Sequence, residues 1–206
     1  LLLAAQNGHN EVVNTLIRKG ADVNTNSYHQ NITPIMFAAH AGHNQVVDTL
    51  IENGGDINIA LMNASSLGYK IIVRTLIDDH GADAVGRDGD ESTALMMAAE
   101  RGHIAVVNIL LKEGALPSVN YVNSDGYSAL MYAAREGHDL VVTRLLEAGA
   151  YVHARNLIAG AHAYTALHYA AKNGHLGVVN ILLENGADIN LKISGPEPIL
   201  VQAIGG

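Results

Sequence analysis

The chain contains no cysteine and no tryptophan, and phenylalanine occurs once among its 206 residues. Without cysteine, disulfides, thiolate zinc sites and a cysteine nucleophile are all excluded. The longest unbroken apolar run, from Ala94 to Ala99, is far shorter than the roughly 20 residues that cross a bilayer. The opening residues lack the basic flank and the length of a signal peptide. We therefore expect an intracellular protein without membrane insertion, with a core of small and branched aliphatic side chains.

Basic residues are also scarce. Lysine and arginine number 12 against 20 acidic residues, giving a formal net charge of −8. A chain with this charge is a poor general binder of phosphates, so we expect neither nucleic acid nor an anionic membrane as its partner.

A glycine–histidine anchor recurs about every 35 residues, a period typical of repeat architectures. The six copies are Gly8-His9, Gly42-His43, Gly68-Tyr69, Gly102-His103, Gly137-His138 and Gly174-His175. An alanine pair precedes five of the anchors, and apolar pairs follow every anchor at positions +4/+5 and +8/+9. This spacing places the apolar side chains on one face of a helix.

Residues with special backbone preferences mark the ends of these helices. Threonine stands where a first helix begins, as at Thr93 and Thr165, and Thr33 is followed by proline at the first helical position. The anchor glycine can adopt the left-handed conformation that ends the first helix. Each unit is therefore predicted to run helix, turn, helix and extended finger.

The sixth unit shows the pattern most completely. Its parts are Thr165-Ala166-Leu167-His168-Tyr169-Ala170-Ala171, Gly174-His175, Val178-Val179, Leu182-Leu183 and Gly186-Ala187-Asp188-Ile189-Asn190. This sequence resembles the ankyrin repeat. The resemblance implies an all-α solenoid of stacked helix-turn-helix units with β-hairpin fingers, whose first helices and fingers line a concave, partner-binding face.

The resemblance covers the whole chain as a single ankyrin-repeat domain, 1–206, which we expect to be truncated at both ends. The approximate repeats are 1–24, 25–58, 59–85, 86–119, 120–153 and 154–190, with a partial repeat at 191–206. The third copy is eight residues short. Either this repeat lacks its finger or a loop is missing from the sequence, and the pattern leaves both explanations open.

Eleven histidines raise the question of a metal site. Five of them occupy the anchors, one per repeat, where the resemblance implies that they tie neighbouring turns together. Ligands strung along a spine do not converge on one ion. No nucleophile motif or nucleotide-binding glycine loop occurs either. We therefore predict no metal, no cofactor and no catalysis, so the protein is not expected to be an enzyme.

Residues that vary between copies are not needed by the scaffold and are free to bind a partner. They include finger residues and the pair before each anchor, with tyrosine as a favoured interface residue. The candidate protein-binding residues are Tyr28, His29, His40, Arg87, Asp90, Glu100, Arg101, Tyr127, Arg135, Tyr164 and Lys172.

Together these features favour a protein–protein interaction module that presents a concave surface to another protein or a peptide. We expect a monomer in the cytoplasm, or alternatively in the nucleus. The main alternative is a targeting or regulatory segment of a larger multidomain protein, or a secreted bacterial effector that acts in the host cytosol.

Overall fold

The computed structural model describes residues 1–27, 31–156 and 163–191. Within these ranges the chain forms six pairs of antiparallel α-helices. They are α1 (Leu2–Gln6), α2 (Asn10–Arg18), α3 (Pro34–His40), α4 (Asn44–Glu52), α5 (Ile57–Ser66), α6 (Lys70–Asp78), α7 (Ala94–Glu100), α8 (Ile104–Leu110), α9 (Ala129–Glu136), α10 (Asp139–Glu147), α11 (Ala166–Lys172) and α12 (Leu176–Glu184). The predicted all-α solenoid is confirmed.

The helices form two stacked layers. The first helices of successive pairs pack side by side in one layer, and most of the second helices do so in the other. Between them lies a continuous core of alanine, valine, leucine, isoleucine and methionine. The alanines of the fourth repeat, Ala98 and Ala99, are fully buried and let the two layers approach closely. In the part of the chain described here, no helix is both long and apolar enough to cross a membrane.

Four of the first helices, α3, α7, α9 and α11, begin directly after a residue with a side-chain hydroxyl. The hydroxyls of Thr33, Thr93 and Ser128 each accept a hydrogen bond from the backbone N–H three residues later. At α11 the cap is reciprocal, because the Thr165 N–H also donates to His168 Nδ1 at 3.2 Å. These bonds satisfy N–H groups that a helix leaves without partners.

The anchor histidines connect adjacent repeats, as predicted. His103 Nε2 donates to the Ser66 carbonyl at 3.0 Å, and His138 Nε2 donates to the Glu100 carbonyl at 3.0 Å. His175 Nε2 makes the equivalent bond in the sixth repeat, donating to the Arg135 carbonyl of the fifth at 2.9 Å. Each histidine therefore holds the end of the preceding first helix in place.

The fingers differ from the β-hairpins that the resemblance implies. Among the described residues they contain no β-strand, only single antiparallel bridges between Arg87 and Thr93 and between Val122 and Ser128. Side chains close the fourth and fifth fingers: Asp88 Oδ1 accepts the N–H groups of Asp90 and Ser92, and Asn123 Oδ1 accepts the Tyr127 N–H. These two loops are therefore held by side-chain bonds and a single bridge rather than by a strand ladder.

Asparagines at the bases of the fingers bridge neighbouring repeats. Asn24 donates to the Gly54 carbonyl and accepts the Asp56 N–H, at 3.0 and 2.7 Å. Asn120, between the fourth and fifth repeats, makes an equivalent pair of bonds: it donates to the Gly149 carbonyl and accepts the Tyr151 N–H. Each of these side chains thus joins the bases of two successive repeats.

The third repeat departs from the regular stack. Only four residues separate α4 from α5, which begins at Ile57 with the Asp56 carboxylate accepting the Asn58 and Ile59 N–H groups. Asn58, which the sequence assigns to the end of the second repeat, therefore lies in the first turn of α5. The chain passes directly from one repeat to the next without a finger.

Candidate functional site

The position two residues before the anchor glycine carries a charged side chain in α7, α9 and α11. These residues are Glu100, Arg135 and Lys172, in consecutive repeats. Arg135 Nη2 donates to Glu100 Oε1 at 2.7 Å, and its Nε donates to Glu136 Oε1 at 2.8 Å. The Arg135 and Glu100 side chains are 30% and 29% exposed, so the pair is partly shielded from solvent. An ion pair joins the fourth and fifth repeats on this side of the solenoid.

Four tyrosine rings lie beside these charges. The rings of Tyr127 and Tyr132 are stacked with centroids 4.9 Å apart, and Tyr169 lies 5.2 Å from Tyr127. Tyr164 continues the row at 5.4 Å from Tyr169. Two of these tyrosines come from fingers and two from first helices, so the cluster spans the junction between the fifth and sixth repeats.

Cationic side chains cover the aromatic faces. The Arg135 guanidinium lies 5.0 Å from the Tyr132 ring centroid and 5.3 Å from that of Tyr127. Lys172 Nζ lies 5.7 Å from the Tyr164 centroid. Such contacts are favourable because the ring face is negative. We refer to this group as the tyrosine patch, comprising Glu100, Tyr127, Tyr132, Arg135, Tyr164, Tyr169 and Lys172.

Two buried asparagines hold the patch from beneath, and the sequence analysis did not identify them. Asn123 Nδ2 donates to the Tyr132 hydroxyl at 3.0 Å while its Oδ1 accepts the Tyr127 N–H at 2.8 Å. Asn156 Nδ2 donates to the Tyr169 hydroxyl at 3.1 Å. A sequence pattern could have identified these asparagines: in two consecutive repeats, a finger asparagine precedes a pair of tyrosines five residues apart.

Burial shifts the pKa values of several groups in and beside the patch. It raises the pKa of Tyr132 above its ordinary value, and burial together with Tyr127 raises the pKa of Tyr169. Burial also lowers the pKa of the neighbouring His168. Burial opposes the charge on Arg135, but the hydrogen bond to Glu136 and the attraction of Glu100 and Glu136 outweigh it, so its pKa is raised. Tyr132 and Tyr169 are therefore neutral phenols beside a permanent cation.

The structure brings together five of the predicted site residues in the patch: Glu100, Tyr127, Arg135, Tyr164 and Lys172. Tyr169 is 7% exposed and packs between repeats, whereas Tyr127, Tyr132 and Tyr164 are half-buried.

The other predicted residues lie apart from the patch. Arg87 lies on the fourth finger, with its guanidinium 4.1 Å from the Tyr121 ring centroid and an ion pair to Glu91. Asp90, on the same finger, is exposed, and its carbonyl accepts the Ser124 N–H at 2.9 Å.

Arg101 is exposed at the end of α7, and His40 is exposed near the second and third repeats. Tyr28 and His29 fall outside the described residues. Over 1–27, 31–156 and 163–191, histidine, aspartate and glutamate form no group of three able to hold a metal ion.

Comparison with known proteins agrees with the repeat geometry. Family models of ankyrin repeats match residues 1–88 and 61–156 as arrays of three copies, and a single-repeat model matches residues 162–193. A 66-residue segment is 41% identical to mouse BCL-6 corepressor-like protein 1. That segment is 32% of this chain and only 4% of the length of the mouse protein. With family matches over most of its length, on repeats with the observed helix pairs and histidine ties, the chain belongs to the ankyrin-repeat family.

Proposed function

We propose that the chain binds another protein through the tyrosine patch, on the side of the solenoid formed by the fingers and first helices. Ankyrin repeats are a non-enzymatic protein-interaction fold. The observation that supports this particular surface is the row of half-buried tyrosines beside Arg135, at the fifth and sixth repeats.

The chemistry of the patch suits an interface. Tyrosine and arginine are the residues that most often dominate binding energy, because they offer large contact areas with polar ends. The patch is also largely rigid before binding: Arg135 is held by two carboxylates, and the hydroxyls of Tyr132 and Tyr169 are held by asparagines. Rigid side chains lose little conformational entropy when a partner docks.

The proposal predicts which substitutions disturb binding. Tyr164→Ala combined with Lys172→Ala removes the ring and the cation at one end of the patch without touching the Glu100–Arg135 pair. Proteins retained from a cell extract by the immobilised wild-type chain, measured by quantitative mass spectrometry, should include partners that this double variant does not retain.

A control variant separates the patch from the rest of the surface. Arg18→Ala combined with Lys112→Ala also removes two exposed cations. Arg18 is the last residue of α2, and Lys112 lies just after α8. It should retain the same partners as wild type. If the control loses those partners while the patch variant keeps them, the binding face lies on the second helices and the proposal is wrong.

The chain could also act as the interaction segment of a larger protein. The match to the mouse corepressor-like protein supports this alternative, because the shared repeats are a small fraction of that protein's length. The binding surface proposed here would be the same in either setting.

A further inference from the structure

A cavity of about 540 Å³ is lined by residues of the first, second and third repeats, at a distance along the solenoid from the tyrosine patch. Apolar groups dominate its wall, and its lining includes Ile32, Met36, Phe37, His40 and Tyr69. Its volume falls within the roughly 300–1,000 Å³ that is typical of ligand sites in proteins.

The cavity exists because the regular histidine tie is missing here. In the fourth repeat, His138 lies directly against Gly102. The corresponding glycine of the second repeat is Gly42, and no atom lies within 4 Å of the position its β-carbon would take. Its counterpart in the next anchor is Tyr69, which is 38% exposed. Helix α6 packs against both α5 and α3. Tyr69 leaves the space at Gly42 open and lines the cavity instead.

The second and third repeats also meet at the far end of α6. His80, directly after the last turn of α6, has its Nδ1 3.2 Å from Asp48 Oδ1 of α4, and the His80 side chain is 4% exposed. The cavity lies at the opposite end of α6, where Tyr69 and Ile72 line it.

Two smaller cavities extend the opening along α6. One of about 180 Å³ shares His40, Tyr69 and Ile72 with the first and adds Lys70 and Ile71. A third, of about 210 Å³, shares Lys70 and Ile71 and reaches Arg74 and Ile109. We call this row of three neighbouring cavities the third-repeat cleft.

The charge of the third-repeat cleft is opposite to that of the whole chain. Lys70 and Arg74 line it, and none of the residues lining its three cavities is acidic. Lys70 and Arg74 are exposed, four residues apart on α6, and neither forms an ion pair within the described residues. In a chain of net charge −8, this is a local site for a negative group.

We propose that the third-repeat cleft binds a peptide segment of a partner protein in which an aromatic or branched apolar side chain is followed closely by a carboxylate. The apolar side chain enters the 540 Å³ cavity beside Phe37 and Tyr69. The carboxylate lies against Lys70 and Arg74. This inference rests on the proposed protein-binding function and adds to it a second contact region with its own chemistry.

Selection from a random peptide library displayed on phage tests the proposal. The wild-type chain is immobilised, and an excess of soluble Ala41→Trp protein is added as competitor. Ala41 is exposed and lines the cavity, so the larger side chain fills the opening from outside without entering the core. Enriched peptides should carry an apolar residue with aspartate or glutamate within two positions. Enrichment of basic peptides, or no enrichment over the competitor, would overturn the proposal.

Charge reversal provides a second, independent measurement. Lys70→Glu combined with Arg74→Glu should weaken an enriched peptide about tenfold or more in fluorescence polarisation, and added salt should weaken binding to wild type. Lys19→Glu combined with Lys112→Glu, at exposed positions outside the cleft, should change the affinity less than about twofold. Equal effects of the two double variants would contradict the assigned site.

Two further outcomes distinguish this proposal from its alternatives. If sedimentation shows a dimer that Ala41→Trp converts to a monomer, the occupant is a second copy of the chain and the peptide proposal is wrong. If library peptides bind the cleft but the Tyr164→Ala, Lys172→Ala variant keeps all partners, the proposed patch function fails and the cleft remains. If that variant loses partners but no library peptide binds the cleft, the patch function stands and the cleft proposal is wrong.

Discussion

The imidazole of His138 lies so close to Gly102 that a β-carbon on the glycine would be 2.6 Å from its Nδ1 atom. The same relationship holds for the anchor glycines of the first, third and fifth repeats. It is absent at Gly42, where the space is open. Glycine–histidine contacts therefore set the spacing between neighbouring repeats, except where Tyr69 replaces the histidine beside Gly42.

This difference predicts unequal effects from one substitution made at two sites. Gly42 and Gly102 have nearly the same left-handed backbone, with φ of 74° and 72°. Gly42→Ala should cost about 1–2 kcal/mol of stability, from the backbone conformation alone. Gly102→Ala should cost about 1–3 kcal/mol more, because His138 must also move. Urea unfolding followed by circular dichroism measures both, and equal losses would contradict the stacking role of the histidine.

Ser65 gives a prediction of increased stability. It replaces the second alanine of the pair in the third repeat, is fully buried, and its hydroxyl has no hydrogen-bond partner in the structure. An unpaired buried polar group costs about 1–3 kcal/mol. Ser65→Ala should therefore raise the melting temperature, whereas the reverse substitution Ala99→Ser, one repeat onward, should lower it. A neutral or destabilising Ser65→Ala would show that the hydroxyl makes a useful bond.

The third repeat should also open most readily. It lacks a finger, has no histidine tie to Gly42, and contains Ser65. Because stability in a repeat array is a sum of local and nearest-neighbour terms, local defects produce local opening. Hydrogen exchange measured by mass spectrometry should be faster over residues 60–69 than over residues 93–104. Equal protection of the two segments would contradict this prediction.

The tyrosine patch predicts a loss of stability at alkaline pH. The pKa values of Tyr132 and Tyr169 are raised in the folded chain, chiefly by burial. Phenols of the unfolded chain therefore ionise first, at about pH 10. The stability that these groups contribute is complete below that pH and is lost as the pH rises toward the folded pKa values. Melting temperatures should fall steeply above about pH 10, and less steeply in Tyr132→Phe and Tyr169→Phe. An unchanged slope in both variants would contradict the assignment.

Much of the fold follows from local chemistry and is readable in the sequence. The anchor glycines, the alanine pairs and the capping threonines each act through neighbouring residues, so their spacing predicts the helix pairs. The fingers are less predictable, because whether a loop forms strands depends on bonds such as those of Asp88. The start of α5 at Ile57 also differs from the assigned repeat boundary, since Asp56 can cap a helix without any finger before it.

The candidate site was predictable in its members but not in its arrangement. Glu100, Arg135 and Lys172 occupy one position in consecutive repeats, so a stacked array places them side by side. Which charges pair, and that Asn123 orients a tyrosine, depends on side-chain directions that spacing does not specify. The third-repeat cleft depends on how α6 packs against α3, which is a tertiary effect.

Photo-crosslinking tests the central claim most directly. A photoreactive benzoylphenylalanine is placed in the full chain instead of Tyr164, and in a second preparation instead of Lys112, which is exposed beyond α8. We predict that a partner retained by the wild-type chain crosslinks efficiently from position 164 and not from position 112. Crosslinking from position 112 with none from position 164 would contradict binding through the tyrosine patch.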